Sequence, residues 1–236
     1  MNRCSTLTFL FLCIFLLNQA RAEIEFVYGI KEQAFKQSGN TPPQNPVEWS
    51  FGAGASGNEQ LTAVSVTPLG SEIPIMLMGE GGGFDLDTGD FTGKAALDAA
   101  YPNGQLSFTV TDGGSSQNLG PFNINGDSYP ETPYFINITD LYAHDLGADF
   151  ELSWNAFSSA ESDDRILIQV WDNNTDEEII FEFLPASATS YVIPGDTLTP
   201  NNAYDFDIIF VRETDGLATP ETIIGYLSTT SFYFTT

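Results

Sequence analysis

Short runs in which apolar and polar residues alternate recur along the whole chain, separated by glycine and proline. A period of two is typical of half-buried β-strands, and sustained helical periodicity is missing. In the first half, this pattern predicts strands over residues 49–51, 61–67, 73–78, 106–111 and 119–124. The glycine-rich stretches at 52–54, 81–83 and 112–114 are interpreted as breaks between strands.

One segment departs from this pattern. Residues 94–100, KAALDAA, are strong helix formers, and Pro102 follows them closely. We therefore expect a helix of two turns that caps one end of the first half. The turn Tyr101–Gly104 then leads into the next strand.

Seven further strands are predicted after residue 133. Phe206, Ile208 and Phe210 share one face of the sixth strand, whereas Asp205 and Asp207 point to the other face and predict an acidic surface there. No helices are available for the crossovers of a parallel sheet, so a sandwich of antiparallel strands is favoured. The seven strands cover residues 134–138, 150–154, 165–171, 178–183, 190–193, 203–212 and 225–235.

The stretch GDSYPETP, residues 126–133, reads as a short, stiff connection because it contains two prolines and a glycine. The predicted fold class is therefore all-β with two domains. A glycine-rich β domain with one short helix covers residues 23–126. A linker follows at 127–132, and a seven-stranded sandwich covers 133–236.

The first 22 residues predict a signal peptide. The apolar run 7–17 is too short to span a bilayer, and Ala20-Arg21-Ala22 supplies a cleavage pattern of small residues. We expect the mature protein to begin at Glu23 and to be secreted, either extracellular or periplasmic, with no membrane insertion after removal of the signal. The surroundings of Cys13 do not favour a lipid anchor.

Composition narrows the classes of function. Both cysteines, Cys4 and Cys13, lie in the predicted signal peptide, so disulfides and cysteine chemistry are excluded from the mature chain. The formal net charge is −25, and residues 23–236 hold five basic residues against 32 acidic ones. Such a field repels nucleic acid and anionic membranes. An acidic, soluble surface and a calcium-dependent module both agree with it, and the even spread of the acids favours the surface.

Two motifs in the second half resemble those of fibronectin type III domains. Leu152-Ser153-Trp154 matches the core tryptophan strand, and the segment 198–204, LTPNNAY, matches the Leu-x-Pro-x-x-x-Tyr turn. The resemblance implies an immunoglobulin-like sandwich in which the Tyr204 hydroxyl bonds an upstream backbone group, as in a tyrosine corner.

The segment 213–224 departs from that family because it is an insertion-like stretch, longer than the usual connection between the last two strands. No Arg-Gly-Asp tripeptide is present. The whole chain also resembles uncharacterised secreted proteins of environmental bacteria, which implies no particular activity.

Catalytic chemistry has little support in the sequence. The only histidine, His144, lies in a predicted loop and is interpreted as a solvated surface residue, and no Gly-x-Ser-x-Gly elbow supports a nucleophile. The many acids could still supply a carboxylate pair for glycoside hydrolysis. We assign no catalytic, cofactor-binding or metal-binding residue.

Two acidic stretches contain some of the oxygen ligands of a calcium-binding loop. Residues 172–176, DNNTD, match the start of an EF-hand, but Glu177 and Phe183 occupy positions that need glycine and glutamate, so a hairpin turn is favoured. Residues 85–90, DLDTGD, are interpreted as an acidic loop rather than a calcium site, and the glycines before them do not form a phosphate loop.

The resulting hypothesis is a secreted, non-enzymatic binding or structural module that acts at the cell surface or on extracellular polysaccharide or protein. The alternative is a carbohydrate-active accessory protein or a glycoside hydrolase-like protein that uses carboxylate pairs. The sequence does not predict an oligomeric state.

Overall fold

A computed structural model describes residues 24–58, 61–68, 71, 73–112, 115–217 and 220–236. The all-β class is confirmed, since strands dominate these residues. The predicted signal peptide, residues 1–22, lies outside the described residues. The elements in chain order are β1 (Ile24–Lys36), β2 (Glu48–Gly57), β3 (Leu61–Thr67), β4 (Ile75–Met76), β5 (Met78–Glu80), β6 (Gly83–Asp87), α1 (Lys94–Ala100), β7 (Gly104–Asp112), β8 (Ser115–Ile124), a 3₁₀ helix (Ile138–Ala143), β9 (Phe150–Ser153), β10 (Arg165–Asp172), β11 (Glu177–Pro185), β12 (Ser190–Ile193), β13 (Ala203–Asp215) and β14 (Glu221–Thr235).

One eight-stranded sheet, which we call the main sheet, contains strands from both halves of the sequence. Its order is β11-β10-β13-β14-β1-β2-β6-β5. The pairing of β1 with β14 is parallel and runs from Phe26 opposite Glu221 to Lys36 opposite Ser231. The first strand of the chain therefore lies beside the last one, at the centre of the sheet.

Two apolar cores lie on the same face of the main sheet, which we call the inner face. One core packs the β1-β2-β6 end against the four-stranded sheet β4-β3-β7-β8, with Val27 and Phe108 fully buried. The other packs the β10-β13-β14 end against the β9-β12 pair, with Trp154 and Phe206 at its centre. Side chains two residues apart on β14 point to the same face, so Tyr226 belongs to the first core and Phe232 to the second.

A polar band separates the two cores, and the predicted linker 127–132 crosses it. Ser228 Oγ donates a hydrogen bond to the Pro130 carbonyl at 2.7 Å, and Thr230 Oγ1 donates one to the Pro133 carbonyl at 2.6 Å. Both hydroxyls are buried on β14. The connection is therefore held against the sheet by its own backbone carbonyls, although it contains no strand or helix.

Gln37 directly follows β1, and its side chain holds the backbone at the start of the second half through two hydrogen bonds. Its Nε2 donates to the Phe135 carbonyl at 2.7 Å, and its Oε1 accepts from the Phe135 N–H at 2.9 Å. The division into domains at 126 and 133 stays a prediction. The shared sheet and these bonds show that the two halves are in close contact through more than a linker.

The structure corrects several strand predictions. The segment 213–224 is the end of a long hairpin rather than an insertion, because β13 and β14 continue past the second core to reach the first. Residues 134–138 form only a bridge between Phe135 and Trp154, so the predicted first strand of a seven-stranded sandwich is wrong. Residues 52–54 lie inside β2, where small residues pack closely against Tyr28 and Ile30 of β1.

The prediction of a helix over 94–100 is confirmed by α1, whose Leu97 is buried in the first core. Strand β1 was missed in the sequence. Its inward positions include Lys31 and Gln33, which obscure the alternation that predicts a half-buried strand.

The tyrosine corner is confirmed. Tyr204 is buried, and its hydroxyl accepts a hydrogen bond from the Thr199 N–H at 2.8 Å. Asn202 Nδ2 donates to the same hydroxyl at 3.1 Å, and Leu198 is buried in the second core. The corner therefore fixes the entry of the chain into β13.

Replacing Tyr204 by phenylalanine should lower the free energy of unfolding by about 1–2 kcal/mol, because the Thr199 N–H loses its acceptor while the ring is retained. Urea denaturation followed by tryptophan fluorescence measures this change. The control Tyr233→Phe, at an exposed position of β14, should stay within about 0.5 kcal/mol of the original protein. Equal effects of the two substitutions would contradict the role of the corner.

Candidate functional site

The face of the main sheet opposite the two cores, which we call the open face, carries an apolar cluster of its own. Every member of the cluster belongs to a strand of the main sheet, so no second layer contributes to it among the described residues. Four of its members are buried and the others are partly buried, because neighbouring side chains on adjacent strands shield one another. Its members are Phe26, Tyr28, Ile30, Leu167, Phe183, Ile209, Val211, Ile223 and Leu227.

Three exposed aromatic residues extend the open face toward the β11-β10-β13-β14 end. Trp171 is 36% exposed, Phe181 48% and Tyr233 59%. The register places Trp171 of β10 opposite Asp205 of β13, and Asp205 opposite Tyr233 of β14. Trp171 and Tyr233 are thus two strands apart, which corresponds to about 10 Å across the sheet.

Hydrogen-bonding side chains lie between these rings. Gln169 pairs with Phe181 across β10 and β11, and its Nε2 donates to Glu178 Oε1 at 3.0 Å. Asp205 Oδ2 accepts a bond from Asn173 Nδ2 at 3.0 Å. We call Trp171, Phe181 and Tyr233, together with Gln169 and Asp205, the aromatic surface. It combines flat apolar rings with donors and acceptors on one rigid sheet.

Asp207 lies beside the aromatic surface and is partly buried. Burial raises the pKa of Asp207 to about 6. A hydrogen bond with Ser231 opposes this rise in pKa, while the Asp205 and Glu32 carboxylates add to it. The Oδ1 atom of Asp207 is buried without a hydrogen-bond partner. The open face therefore holds a carboxyl group that is costly to ionise.

A second acidic group lies on β2. Burial raises the pKa of Glu48 to about 7, and a hydrogen bond with Asp90, together with the Asp90 and Glu32 charges, acts in the same direction. Two carboxyl groups that share a hydrogen bond are about 2.5–3 Å apart. Retaining glycosidases need roughly 5 Å and inverting ones more, so Glu48 and Asp90 do not form such a pair.

A cavity of about 680 Å³ lies beside the end of the β13-β14 hairpin. Its cation, Arg165, is bonded to Glu213 at 2.6 Å and to Glu221 at 2.7 Å, and its guanidinium lies 5.1 Å from the centre of the Phe183 ring. These contacts fasten the hairpin to β10. The charged residues that line the cavity therefore have a structural role in holding the hairpin.

The histidine and the acidic stretch 172–176, which the sequence analysis considered as candidate sites, have partners nearby. His144 Nε2 is 2.9 Å from the Ala148 carbonyl oxygen, and its ring packs on Phe150. Asp172 Oδ1 accepts bonds from the N–H groups of Asn174 and Thr175, which confirms the hairpin turn.

Residues 83–87 form β6, so the stretch 85–90 is a loop only in its second part. Asp85 Oδ1 accepts a bond from the Tyr28 hydroxyl at 2.8 Å. Among the described residues, no group of three or more histidine, cysteine or acidic side chains is arranged to hold a metal ion.

The aromatic surface was not identified from the sequence, because alternation alone does not show which face of a strand is covered. The sequence does contain a usable signal, because each of the three aromatic residues is next to a core residue on its strand. Trp171 follows the core residue Val170, and Phe181 follows Ile180. Tyr233 lies between two core phenylalanines. Strand alternation therefore directs these three rings away from the core.

The comparisons with known proteins add little to the geometry. No family model matches the chain, and no curated protein matches it. A crystal structure of the chicken CNTN1 FN1–FN3 domains matches with 12% sequence identity and a TM-score of 0.28, covering 91% of this chain. The chain spans 66% of the length of that structure. A likeness of this size carries no argument about function, and no match supports the wider resemblance to secreted bacterial proteins.

The described fold itself defines the class as an all-β protein with sandwich-like packing of sheets. No helix in the part of the chain that the structure describes is both long enough and apolar enough to cross a membrane.

Replacing Asp207 by asparagine should raise the free energy of unfolding by about 1–2 kcal/mol near pH 8. The pKa of Asp207 is higher in the folded than in the unfolded protein, so the cost of its charge is present above about pH 6. This cost disappears as the pH falls toward about 4, where the two proteins should converge. Urea denaturation at both pH values measures the difference.

The matched control is Asp205→Asn, which removes the same charge from the neighbouring, partly exposed position. This control should change the free energy of unfolding less near pH 8, and the difference from the original protein should not disappear as the pH falls toward about 4. Destabilisation of the protein by Asp207→Asn near pH 8 would contradict a raised pKa of Asp207 in the folded protein.

Proposed function

We propose that the protein is a secreted, non-enzymatic binding module, and that the aromatic surface binds a neutral or cationic extracellular polysaccharide. The observation that carries this proposal is the position of three exposed rings on one face of the four neighbouring strands β11-β10-β13-β14. Exposed large apolar groups on one face of a soluble protein mark a contact surface rather than a random feature.

The chemistry of sugars fits this arrangement. A sugar ring has a flat apolar face of C–H groups that can lie on an aromatic ring, and its rim carries hydroxyl groups that need donors and acceptors. Trp171 and Tyr233 offer the rings, while Asp205 between them and Gln169 on β10 offer the polar contacts. The spacing across two strands suits a chain of sugars better than a single small molecule.

Charge narrows the class of polysaccharide. The net charge of −25 and the carboxylates of the open face repel acidic polymers. A neutral or amino-sugar polymer avoids this repulsion. The same field argues against nucleic acid and anionic lipid as partners, in agreement with the expectation from composition.

Secretion and a fibronectin type III-like second half belong to this proposal. The tyrosine corner at Tyr204 and the buried Trp154 support the second, and the signal-peptide pattern over residues 1–22 supports the first. A rigid all-β scaffold suits an extracellular binding module, because the sheet holds the contact residues in place without rearrangement.

The glycoside hydrolase-like alternative has one favourable observation, the raised pKa of Glu48. A general acid needs such a pKa, but it also needs a second carboxylate at a suitable separation across a substrate groove. Asp90 is too close to fill that role. Binding without hydrolysis therefore remains the better proposal.

Affinity electrophoresis tests the proposal. Native gels that contain a neutral β-glucan or the cationic polymer chitosan should retard the protein, whereas gels that contain anionic alginate should not. Trp171→Ala should weaken retardation about tenfold, and the combined loss of Trp171, Phe181 and Tyr233 should abolish it. About 0.5 M salt should leave the binding to neutral polymer unchanged, because that binding rests on stacking rather than charge.

Tyr142→Ala is the matched control, because Tyr142 is 60% exposed but lies against Phe232 and Phe234, away from the open face. It should bind like the original protein once its thermal midpoint confirms folding. The absence of binding to every neutral and cationic polymer, or equal losses in the control, would contradict the proposal. Release of reducing sugars would instead support the hydrolase alternative.

A further inference from the structure

A lysine is buried on the inner face of the main sheet, in direct contact with a side-chain amide. Lys31 of β1 is only 1% exposed. Its Nζ lies 2.7 Å from Asn103 Oδ1 and 2.7 Å from Asp98 Oδ1. Because Cγ is bonded to Oδ1, the amine nitrogen lies within about 4 Å of the amide carbon. A buried amine is therefore placed beside an amide carbon and a carboxylate that are themselves only partly buried.

Two further side chains close these contacts into a ring. Lys94 Nζ lies 2.5 Å from Asp98 Oδ2 and 2.8 Å from Asp127 Oδ2. Asn103 Nδ2 donates to Asp127 Oδ1 at 2.6 Å. The amide of Asn103 is thus held from both sides, with its oxygen toward Lys31 and its nitrogen toward Asp127. A fixed orientation of this kind removes much of the entropic cost of a reaction between neighbouring groups.

Aromatic rings enclose the amine. Lys31 is opposite Phe51 of β2 and Tyr226 of β14 in the sheet register, and both rings are buried. Tyr101 stacks on Phe51 at 4.6 Å, and Tyr129 lies 4.6 Å from Tyr226. Buried rings therefore lie beside Lys31 on both neighbouring strands, and Lys31 itself is shielded from bulk water.

We propose that Lys31 and Asn103 form an intramolecular isopeptide bond between Nζ and Cγ, with release of the amide nitrogen. Asp98 takes a proton from the Lys31 ammonium group, and the free amine attacks Cγ. The Nζ–Cγ bond forms, and the bond between Cγ and Nδ2 breaks.

The two protons that Nζ loses end on the departing nitrogen, which leaves as ammonium. Lys94 contacts both Asp98 and Asp127, so it can pass the protons from one carboxylate to the other. One ammonium is consumed and one is released, so atoms and charge balance without an oxidant or another reactant.

Asn103 rather than Asp98 is the group attacked. The hydrogen bonds from Lys31 and Lys94 hold the pKa of Asp98 below its usual range, although burial acts in the opposite direction. A carboxylate repels an attacking electron pair, whereas a neutral amide does not. Asp98 is therefore ionised, and its Oδ1, 2.7 Å from Nζ, is placed to accept the proton.

The bond would join two layers of the first core. Lys31 is on β1 of the main sheet, and Asn103 precedes β7 of the four-stranded sheet. The predicted mature chain has no cysteine, so it has no disulfide with which to fasten these layers. A covalent amide would supply the cross-link in a form that reducing agents cannot open.

Mass spectrometry of the mature protein tests the proposal directly. After about a day at neutral pH, the intact mass should be about 17 Da below the mass calculated for the mature sequence, which corresponds to the loss of ammonia. Tryptic digestion should release one branched peptide that joins the segment around Lys31 to the segment that contains Asn103, with no cleavage after Lys31.

Variants extend the test. Lys31→Met and Asn103→Leu should restore the calculated mass and lower the thermal midpoint by roughly 10 °C, as for the loss of a cross-link that closes a long loop. Asp98→Asn should slow the loss of mass at least tenfold in protein that is still folded. The matched control Lys36→Met, at an exposed position of the same strand, should keep both the loss of mass and the midpoint.

Two results would overturn the proposal. One is a folded mature protein at its full calculated mass with a free Asn103 side chain. The other is a loss of about 17 Da that peptide mapping places away from Lys31 and Asn103. The measurement on the original protein decides the matter even if the Lys31 and Asn103 variants do not fold.

Discussion

The parallel pairing of the first strand with the last one is the constraint on which the rest of the structure depends. β1 and β14 lie side by side over eleven residue pairs, and every other strand of the main sheet is attached to one of them, directly or through neighbours. Because this sheet is continuous, its inner face must serve both apolar cores. The buried hydroxyls of Ser228 and Thr230 fall between the cores, where they bind the backbone of the connecting segment. Hydrogen bonds between Gln37 and Phe135 add to this pairing as a further contact between the halves.

The same pairing explains the two sites. It places Lys31 on the inner face, between rings from β2 and β14, where a charged side chain survives only with partners such as Asp98 and Asn103. Among the described residues, the opposite face of the sheet has no second layer, and aromatic residues of β10, β11 and β14 are in contact with solvent there. One side of the sheet thus buries the amine of Lys31, and the other side presents aromatic and polar side chains to solvent.

Much of the local structure was predictable, because it depends on neighbours in the sequence. The helix at 94–100, the hairpin turn after Asp172 and the tyrosine corner at Tyr204 all rest on contacts within a few residues. The predictions that failed depend on distant contacts. Residues 213–224 read as an insertion because their partners include β1, about 190 residues away. Residues 52–54 read as a break because nothing local shows that Tyr28 and Ile30 pack over the glycines.

The sequence by itself determined the all-β class, the strands of the second half except the one predicted at 134–138, and the corner that begins β13, since periodicity and turn chemistry act over short distances. Only the tertiary structure decided which polar residues are buried and which aromatic residues are exposed. Lys31 and Trp171 show the reason. Alternation states that a side chain is on one face or the other, but the identity of the covered face depends on strand pairings between opposite ends of the chain.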